Sequence, residues 1–189
     1  MTQLLTLVGV PLDEIATAFS RVLPSSAYSA ISYSKVKDAD GKEREMTDIK
    51  PAYFVEAMNK MFGLAGYGWR YEYDEMITQY DETAFKNKGG WEITISNLRL
   101  YYKYTDGENV YESMPIVASG GAFMQKRVHA ERGAITNAVG SAGAKMGWQS
   151  WVYKGIVNHE NCKAALKQQD EDDAELLKKG GRIPGTPIK

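Results

Sequence analysis

The chain has 189 residues, 43% of them hydrophobic, and a formal net charge of −1. This length and apolar content predict a single folded core, and the balanced charge does not by itself indicate a nucleic-acid partner. The only cysteine, Cys162, excludes an intrachain disulfide or a multi-cysteine zinc site and fits a reducing cytosol. No apolar run approaches the length of a membrane span, so we expect no membrane contact.

Charge is unevenly distributed along the chain. Residues 70–85 contain five carboxylates and one arginine, whereas residues 122–158 contain five basic residues and one glutamate. Two solvated faces would explain this distribution. A basic groove for phosphates, which is the less common arrangement, would also explain it, with the acidic segment facing elsewhere or meeting a neighbouring subunit.

The first third of the chain predicts two helices separated by an extended segment. Apolar residues have helical spacing over 11–23, weak alternation follows over 27–37, and a turn is predicted at 38–41. A second helix is predicted to begin near Asp48 as its N-cap and to end at Gly63. Its predicted buried face consists of Val55, Met58 and Phe62.

The middle of the chain predicts an antiparallel meander of three strands. The strands span 69–80, 91–104 and 110–118, and Asp106-Gly107 forms the tight turn before the last of them. Within the second strand the apolar residues change parity at Ser96-Asn97. This change predicts a β-bulge or a sharp bend at that point, because a bulge would keep the apolar side chains on both sides of it on the same face of the sheet.

A long helix is predicted from Phe123 to Met146. It contains glycines at 133, 140 and 143, which weaken a helix, so we expect very close packing against the sheet or another subunit to compensate. The predicted buried stripe consists of Val128, Ile135, Val139, Ala142 and Met146.

The composition changes after Gly155. A charged helix is predicted over 159–179, and the glycine and proline content from Gly180 onward predicts disorder. We therefore divide the chain into an N-terminal helical segment (1–24), a core domain (25–157) and a charged, partly disordered C-terminal tail (158–189).

No segment has the residue spacing of a known catalytic or cofactor site. The chain lacks a GxxxxGK[ST] phosphate loop, and His129 and His159 are too far apart in sequence to form a metal motif. Cys162 lies in the polar C-terminal segment, where we expect no nucleophilic role. The carboxylates of 70–85 are more typical of an acidic surface than of a metal site. We therefore expect no cofactor, no bound metal and no enzymatic activity.

Two segments, taken in order, resemble a known family. The first is Tyr53–Gly63 followed by Gly66-Tyr-Gly-Trp69, and the second is Ala134–Gly147. The first is similar to the helix and Gly-Trp signature of the Rad-fifty-two single-strand annealing superfamily. The second resembles that family's Ala-x-Thr-Asp-(Gly/Ala)-Leu-Lys-Arg-Ala-Leu-x-x-Phe-Gly helix. The resemblance covers roughly residues 25–157.

The resemblance implies an α+β fold. Its core would be an antiparallel three-stranded β-meander packed on a long helix, the βββα annealing-protein core, with an additional N-terminal helix. It also implies a homo-oligomeric ring that binds single-stranded DNA in a basic groove, with the backbone inward and the bases outward. The expected partners are single-stranded DNA, the annealed duplex intermediate, other copies of the chain and a single-strand-binding protein. Such a protein would act in recombination and repair in the cytoplasm of a bacterial or phage-infected cell.

One departure from the family pattern affects the candidate DNA contacts. Gly140-Ser141 stands where the family has a Lys-Arg pair, so neighbouring residues must supply the phosphate contacts. The predicted groove is lined by the long helix and by the Lys35–Lys37 segment. The candidate DNA-binding residues are Lys35, Lys37, Lys126, Arg127, Arg132, Ser141, Lys145 and Lys154.

Two alternatives to an annealing protein stay open. The first is a ring-forming structural or interaction protein of the same fold that lacks annealing activity, which the Gly140-Ser141 departure favours. The second is a small-molecule enzyme that uses the acidic segment, against which the missing catalytic motifs argue. Salt-dependent binding of a single-stranded oligonucleotide distinguishes the annealing protein from both.

Overall fold

The computed structural model describes residues 3–37, 41 and 43–188 and has an α+β architecture with antiparallel sheets. The strands in chain order are β1 (Leu5–Thr6), β2 (Tyr28–Lys37), β3 (Glu43–Ile49), β4 (Trp69–Glu72), β5 (Glu75–Asp81), β6 (Gly90–Thr105), β7 (Val110–Glu112) and β8 (Ile116–Met124). The α-helices are α1 (Ile15–Ser20), α2 (Pro51–Phe62), α3 (Ala84–Asn87), α4 (Arg127–Lys145), α5 (Ser150–Tyr153) and α6 (Cys162–Lys178).

The main sheet is built around β6. Strands β4 and β5 pair in succession with one edge of β6, β8 pairs with the other edge, and all of these pairings are antiparallel. The register between β6 and β8 shifts between Ile95 and Leu98, and Asn97 has a φ of 54°. This confirms the bulge predicted from the change of apolar parity. Because of it, Ile93, Ile95, Leu98 and Leu100 are all fully buried.

Helix α4 packs on this sheet through a stripe of alanines. Ala130, Ala134, Ala138 and Ala142 repeat every four residues and are fully buried. A Cβ atom at Gly120 of β8 would lie 2.2 Å from the backbone nitrogen of Ala138, so only glycine permits this approach. The close packing expected of a small-residue helix is therefore made against the sheet.

The start and one buried position of the long helix were predicted wrongly. Residues up to Met124 remain in β8, so the helix begins at Arg127 and not at Phe123. Val128 is 56% exposed, because the alanine stripe and not the larger apolar side chains decides which face meets the sheet.

Helix α2 covers the aromatic core beside α4. It begins at Pro51, while Asp48, the predicted N-cap, belongs to β3. Met58 and Phe62 are fully buried as predicted, but Val55 is 42% exposed. Gly63 ends the helix as predicted, with a φ of 95°.

A separate two-stranded sheet consists of β2 and β3. The extended segment predicted over 27–37 is confirmed as β2, whereas β3 was not predicted. The pairing is antiparallel from Tyr28 opposite Ile49 to Lys37 opposite Glu43. Apart from Gly41, the turn predicted at 38–41 lies outside the described residues.

The C-terminal segment returns to the N-terminal one. The amide of Ile188 donates a hydrogen bond of 2.9 Å to the carbonyl oxygen of Gly9, and the guanidinium of Arg182 pairs with Glu14. This packed arrangement differs from the disorder predicted for the tail. Its glycines and prolines make turns that lie against α1 and α2, where Gly185 approaches Ala18. Among the described residues, no helix is long and apolar enough to cross a membrane.

Candidate nucleic-acid interface

A cavity of about 1020 Å³, which we call the groove, separates the β2–β3 sheet from α4. Its floor is the aromatic core, and the start of α2 and the α5 region complete its walls. The side chains that define it best are Lys37, Glu45 and Asp48 of the β2–β3 sheet, Thr136, Gly140 and Ser141 of α4, and Phe54, Trp69 and Trp148 of the floor.

The α4 wall is low because its side chains are small. A Cβ atom at Gly140 would meet nothing within 4 Å outside its own helix, so the space above this residue is open. The Ser141 hydroxyl donates a hydrogen bond of 2.8 Å to the carbonyl oxygen of Asn137. Asn137 in turn donates a 2.7 Å hydrogen bond to the carbonyl oxygen of Gly121. The wall is thus fixed to β8 while its surface stays accessible.

Three lysines line the groove. They are Lys37 at the end of β2, Lys50 just before α2, and Lys154 just after α5. The Nζ atom of Lys50 donates a 2.6 Å hydrogen bond to the carbonyl oxygen of Ser26, which fixes its position. Within the described part of the chain, neither Lys37 nor Lys154 forms an ion pair. Among the described residues, the ammonium groups of Lys37 and Lys154 therefore have no carboxylate partner and can bind an anion.

The groove brings together three of the eight candidate residues. Lys37, Ser141 and Lys154 lie in its lining, although the sequence separates the first from the other two by about a hundred residues. Arg132 is not part of the lining, but it is exposed one helical turn before Thr136 and lies on the same face of α4.

The other candidates lie outside the lining. The Nζ atom of Lys35 is 3.5 Å from Glu43, and Lys126 is exposed immediately before α4. Arg127 pairs with Glu131 at 2.8 Å and lies 5.4 Å above the Trp91 ring. Lys145 donates a 2.6 Å hydrogen bond to the carbonyl oxygen of Val117, at the edge of the main sheet.

One lysine of the lining, Lys50, was missed by reasoning from the sequence. The only available signal was Pro51, which favours the first position of a helix and leaves Lys50 just outside it. The predicted N-cap at Asp48 instead puts Lys50 inside the helix, whereas the helix begins at Pro51.

A contact between His159 and Thr47 holds the β2–β3 sheet in place. The backbone amide of His159 donates to the Thr47 hydroxyl at 3.2 Å, and the Nδ1 atom of its ring is 3.1 Å from the same oxygen. The Nε2 atom of the ring is 3.9 Å from the Glu45 carboxylate. One wall of the groove is thereby attached to the segment that leads into α6.

Two carboxylates of the acidic segment, Glu72 and Asp74, pair with arginines on the face of the main sheet that points away from α4. There, Arg99 makes a bidentate pair with Asp74 at 2.6 and 3.0 Å and contacts Glu72 at 3.1 Å. Arg70 makes a bidentate pair with Glu112 at 2.9 and 3.0 Å and also contacts Glu72. We call these five residues the outer-face network. The Arg99 guanidinium holds the pKa values of Asp74 and Glu72 below their ordinary range.

Comparisons with protein-family models, curated proteins and solved structures give no match for this chain. The geometry of the groove therefore bears most directly on function.

Proposed function

We propose that this protein binds single-stranded DNA along the groove and anneals complementary strands as a homo-oligomeric ring, without nucleotide hydrolysis. The observation that carries the proposal is the set of three lysines in the groove, opposite an open helix wall. That wall contains Gly140-Ser141, the two positions at which the Rad-fifty-two superfamily has its Lys-Arg pair. The lysines Lys37, Lys50 and Lys154 then act as the phosphate contacts that this pair would otherwise supply.

The order of elements supports the same proposal. A helix, a Gly-Trp segment, a meander of β4/β5, β6 and β8, and a long helix follow one another along the chain. This is the order that the resemblance implies for a βββα annealing core. The alanine stripe of α4 on the sheet is compatible with that core.

Electrostatics explains why such a groove suits a nucleic acid of any sequence. Lysine contacts to phosphates release counterions, and this gain does not depend on the bases. Pro51 also lines the groove, so the partial positive charge at the start of α2 lies at the same surface. Together these groups give sequence-independent affinity, which annealing of arbitrary complementary strands requires.

The proposal is tested by replacing Lys37, Lys50 and Lys154 together with alanine. The slope of log K against log salt should fall by about 0.7 for every phosphate of a single strand that no longer meets a lysine. Annealing of complementary labelled strands should slow in parallel. Fluorescence anisotropy with an oligothymidylate measures the first effect, and energy transfer between the labels measures the second.

A matched control removes three exposed lysines of α6. The variants Lys163→Ala, Lys167→Ala and Lys178→Ala lower the net charge equally but lie away from the groove. Binding by this control should equal that of the unmodified protein. Equal loss in both triple variants would assign the binding to net charge and overturn the groove as the site. An oligomer that binds no DNA would favour the structural alternative.

A further inference from the structure

The floor of the groove is a row of aromatic rings that ends at its surface. The ring centroids of Trp148 and Phe54 are 5.3 Å apart, those of Phe54 and Trp69 are 6.4 Å apart, and those of Trp69 and Tyr71 are 6.5 Å apart. The first three side chains are each 4% exposed, whereas Tyr71 is 41% exposed. The outermost ring is therefore held by a packed aromatic base and presents itself to the groove.

A second exposed tyrosine lies in the same lining. Tyr153 is the last residue of α5, is 66% exposed and directly precedes Lys154. Among the described residues, neither Tyr71 nor Tyr153 has a hydrogen-bond partner for its hydroxyl group. Two large apolar rings thus remain exposed in a concave site, beside a lysine that pairs with no carboxylate of the described chain.

The charges of the lining suit a nucleotide better than a sugar-phosphate backbone alone. Glu45 and Asp48 line the groove together with the three lysines. Carboxylates repel phosphates, so a backbone cannot approach every part of this wall. They accept hydrogen bonds from N–H groups on the edges of bases, whether exocyclic amino groups or the N3–H of thymine, and an aromatic ring stacks on the face of any base.

We propose that Tyr71 and Tyr153 stack on unpaired nucleobases that turn into the groove. The groove then selects single strands by their bases as well as by their phosphates, since a paired base reaches the rings only after unpairing. The inference rests on the proposed function. It differs from the arrangement that the resemblance implies, in which the bases point outward: here some bases per protomer point inward, while the lysines hold the adjacent phosphates.

The test compares an oligothymidylate with an oligomer of equal length whose sugars lack bases. Unmodified protein should bind the base-containing strand more tightly by at least about 5-fold to 150-fold, the range expected for a single stacked base. Tyr153→Leu and Tyr71→Leu should each weaken binding of the oligothymidylate and leave binding of the base-free strand unchanged. The salt slope should not change in either variant, because the lysines still hold the same phosphates.

Two further variants separate stacking from other effects. Tyr153→Phe keeps the ring and should restore the affinity that Tyr153→Leu removes. Tyr67→Leu replaces a tyrosine that is 67% exposed but lies outside the groove lining, so it should bind like the unmodified protein. The melting temperature of each variant checks that the fold is kept.

The outcomes distinguish this inference from the proposed function. Equal affinity for both strands, with binding that still depends on the groove lysines, would overturn base stacking and leave DNA binding intact. Loss of affinity for both strands in Tyr153→Leu would also overturn stacking. An unmodified protein that binds neither strand would overturn the proposed function itself.

Discussion

The outer-face network and the groove differ in how their charges are satisfied. On the outer face, Arg70 and Arg99 are fully engaged by three carboxylates. In the groove, Lys37 and Lys154 have no carboxylate partner within the described residues. In the sequence the acidic segment has the denser charge, yet two of its five carboxylates, Glu72 and Asp74, are neutralised by Arg70 and Arg99 within this network. Unpaired charge, rather than the density of charged residues, marks the surface that can bind an ion.

Substitution of two glycines of α4 by alanine tests the packing beneath the groove. A Cβ atom at Gly143 would lie 2.1 Å from the ring of Phe54, which is enclosed by aromatic neighbours. Gly143→Ala should therefore lower the free energy of unfolding by about 1–3 kcal/mol. The space around Gly140 is open, so Gly140→Ala should instead raise the free energy of unfolding by about 0.5–1 kcal/mol. Urea denaturation measures both, and effects of the same sign would contradict the packed floor and open wall.

Adding positive charge to the α4 wall tests whether phosphates run along the groove. Gly140→Lys places an ammonium group in the open space, so single-stranded DNA should bind more tightly, with a salt slope steeper by about 0.7. Gly140→Glu introduces a side chain of similar length but opposite charge and should weaken binding. Titrations at several salt concentrations measure both. If the two variants bind equally, the phosphates do not run past this wall.

The outer-face network is tested by acid. The pKa values of Asp74 and Glu72 are lowered in the folded state, so their stabilising effect is complete above the unfolded pKa values of about 4. It is lost as the pH falls through the lower folded values. Arg99→Gln should reduce this acid-dependent loss in thermal melts and leave DNA affinity unchanged. A fall in affinity like that of the groove variants would erase the distinction between the two surfaces.

Several features of the fold were predictable because they depend on local chemistry. The parity change at Ser96-Asn97 predicted the bulge in β6, and Gly63 predicted the end of α2. The start of α4 was not predictable in the same way. Gly120 and Gly121 are typical of a loop, but they lie in β8, where Gly120 makes room for Ala138. That contact joins two elements, so no single segment signals it.

The candidate site was predictable only in part for a related reason. Charge and the family resemblance predict Lys37, Ser141 and Lys154 as candidate DNA contacts, and all three line the groove. Lys145 has the same charge but points to the carbonyl oxygen of Val117, a partner that the helix pattern does not reveal. The role of the aromatic floor was missed because its rings come from α2, β4 and the segment after α4. Only the tertiary fold brings them together.

The hydrogen bond between Ile188 and Gly9 closes a loop that contains almost the entire chain. Closing so long a loop costs conformational entropy, and a short terminal segment regains little of it through burial. This contact is therefore expected to form late in folding and to open first in local fluctuations. Because the C-terminal segment lies against α1 and α2, such opening would loosen the far side of the aromatic core before the sheet itself is disturbed.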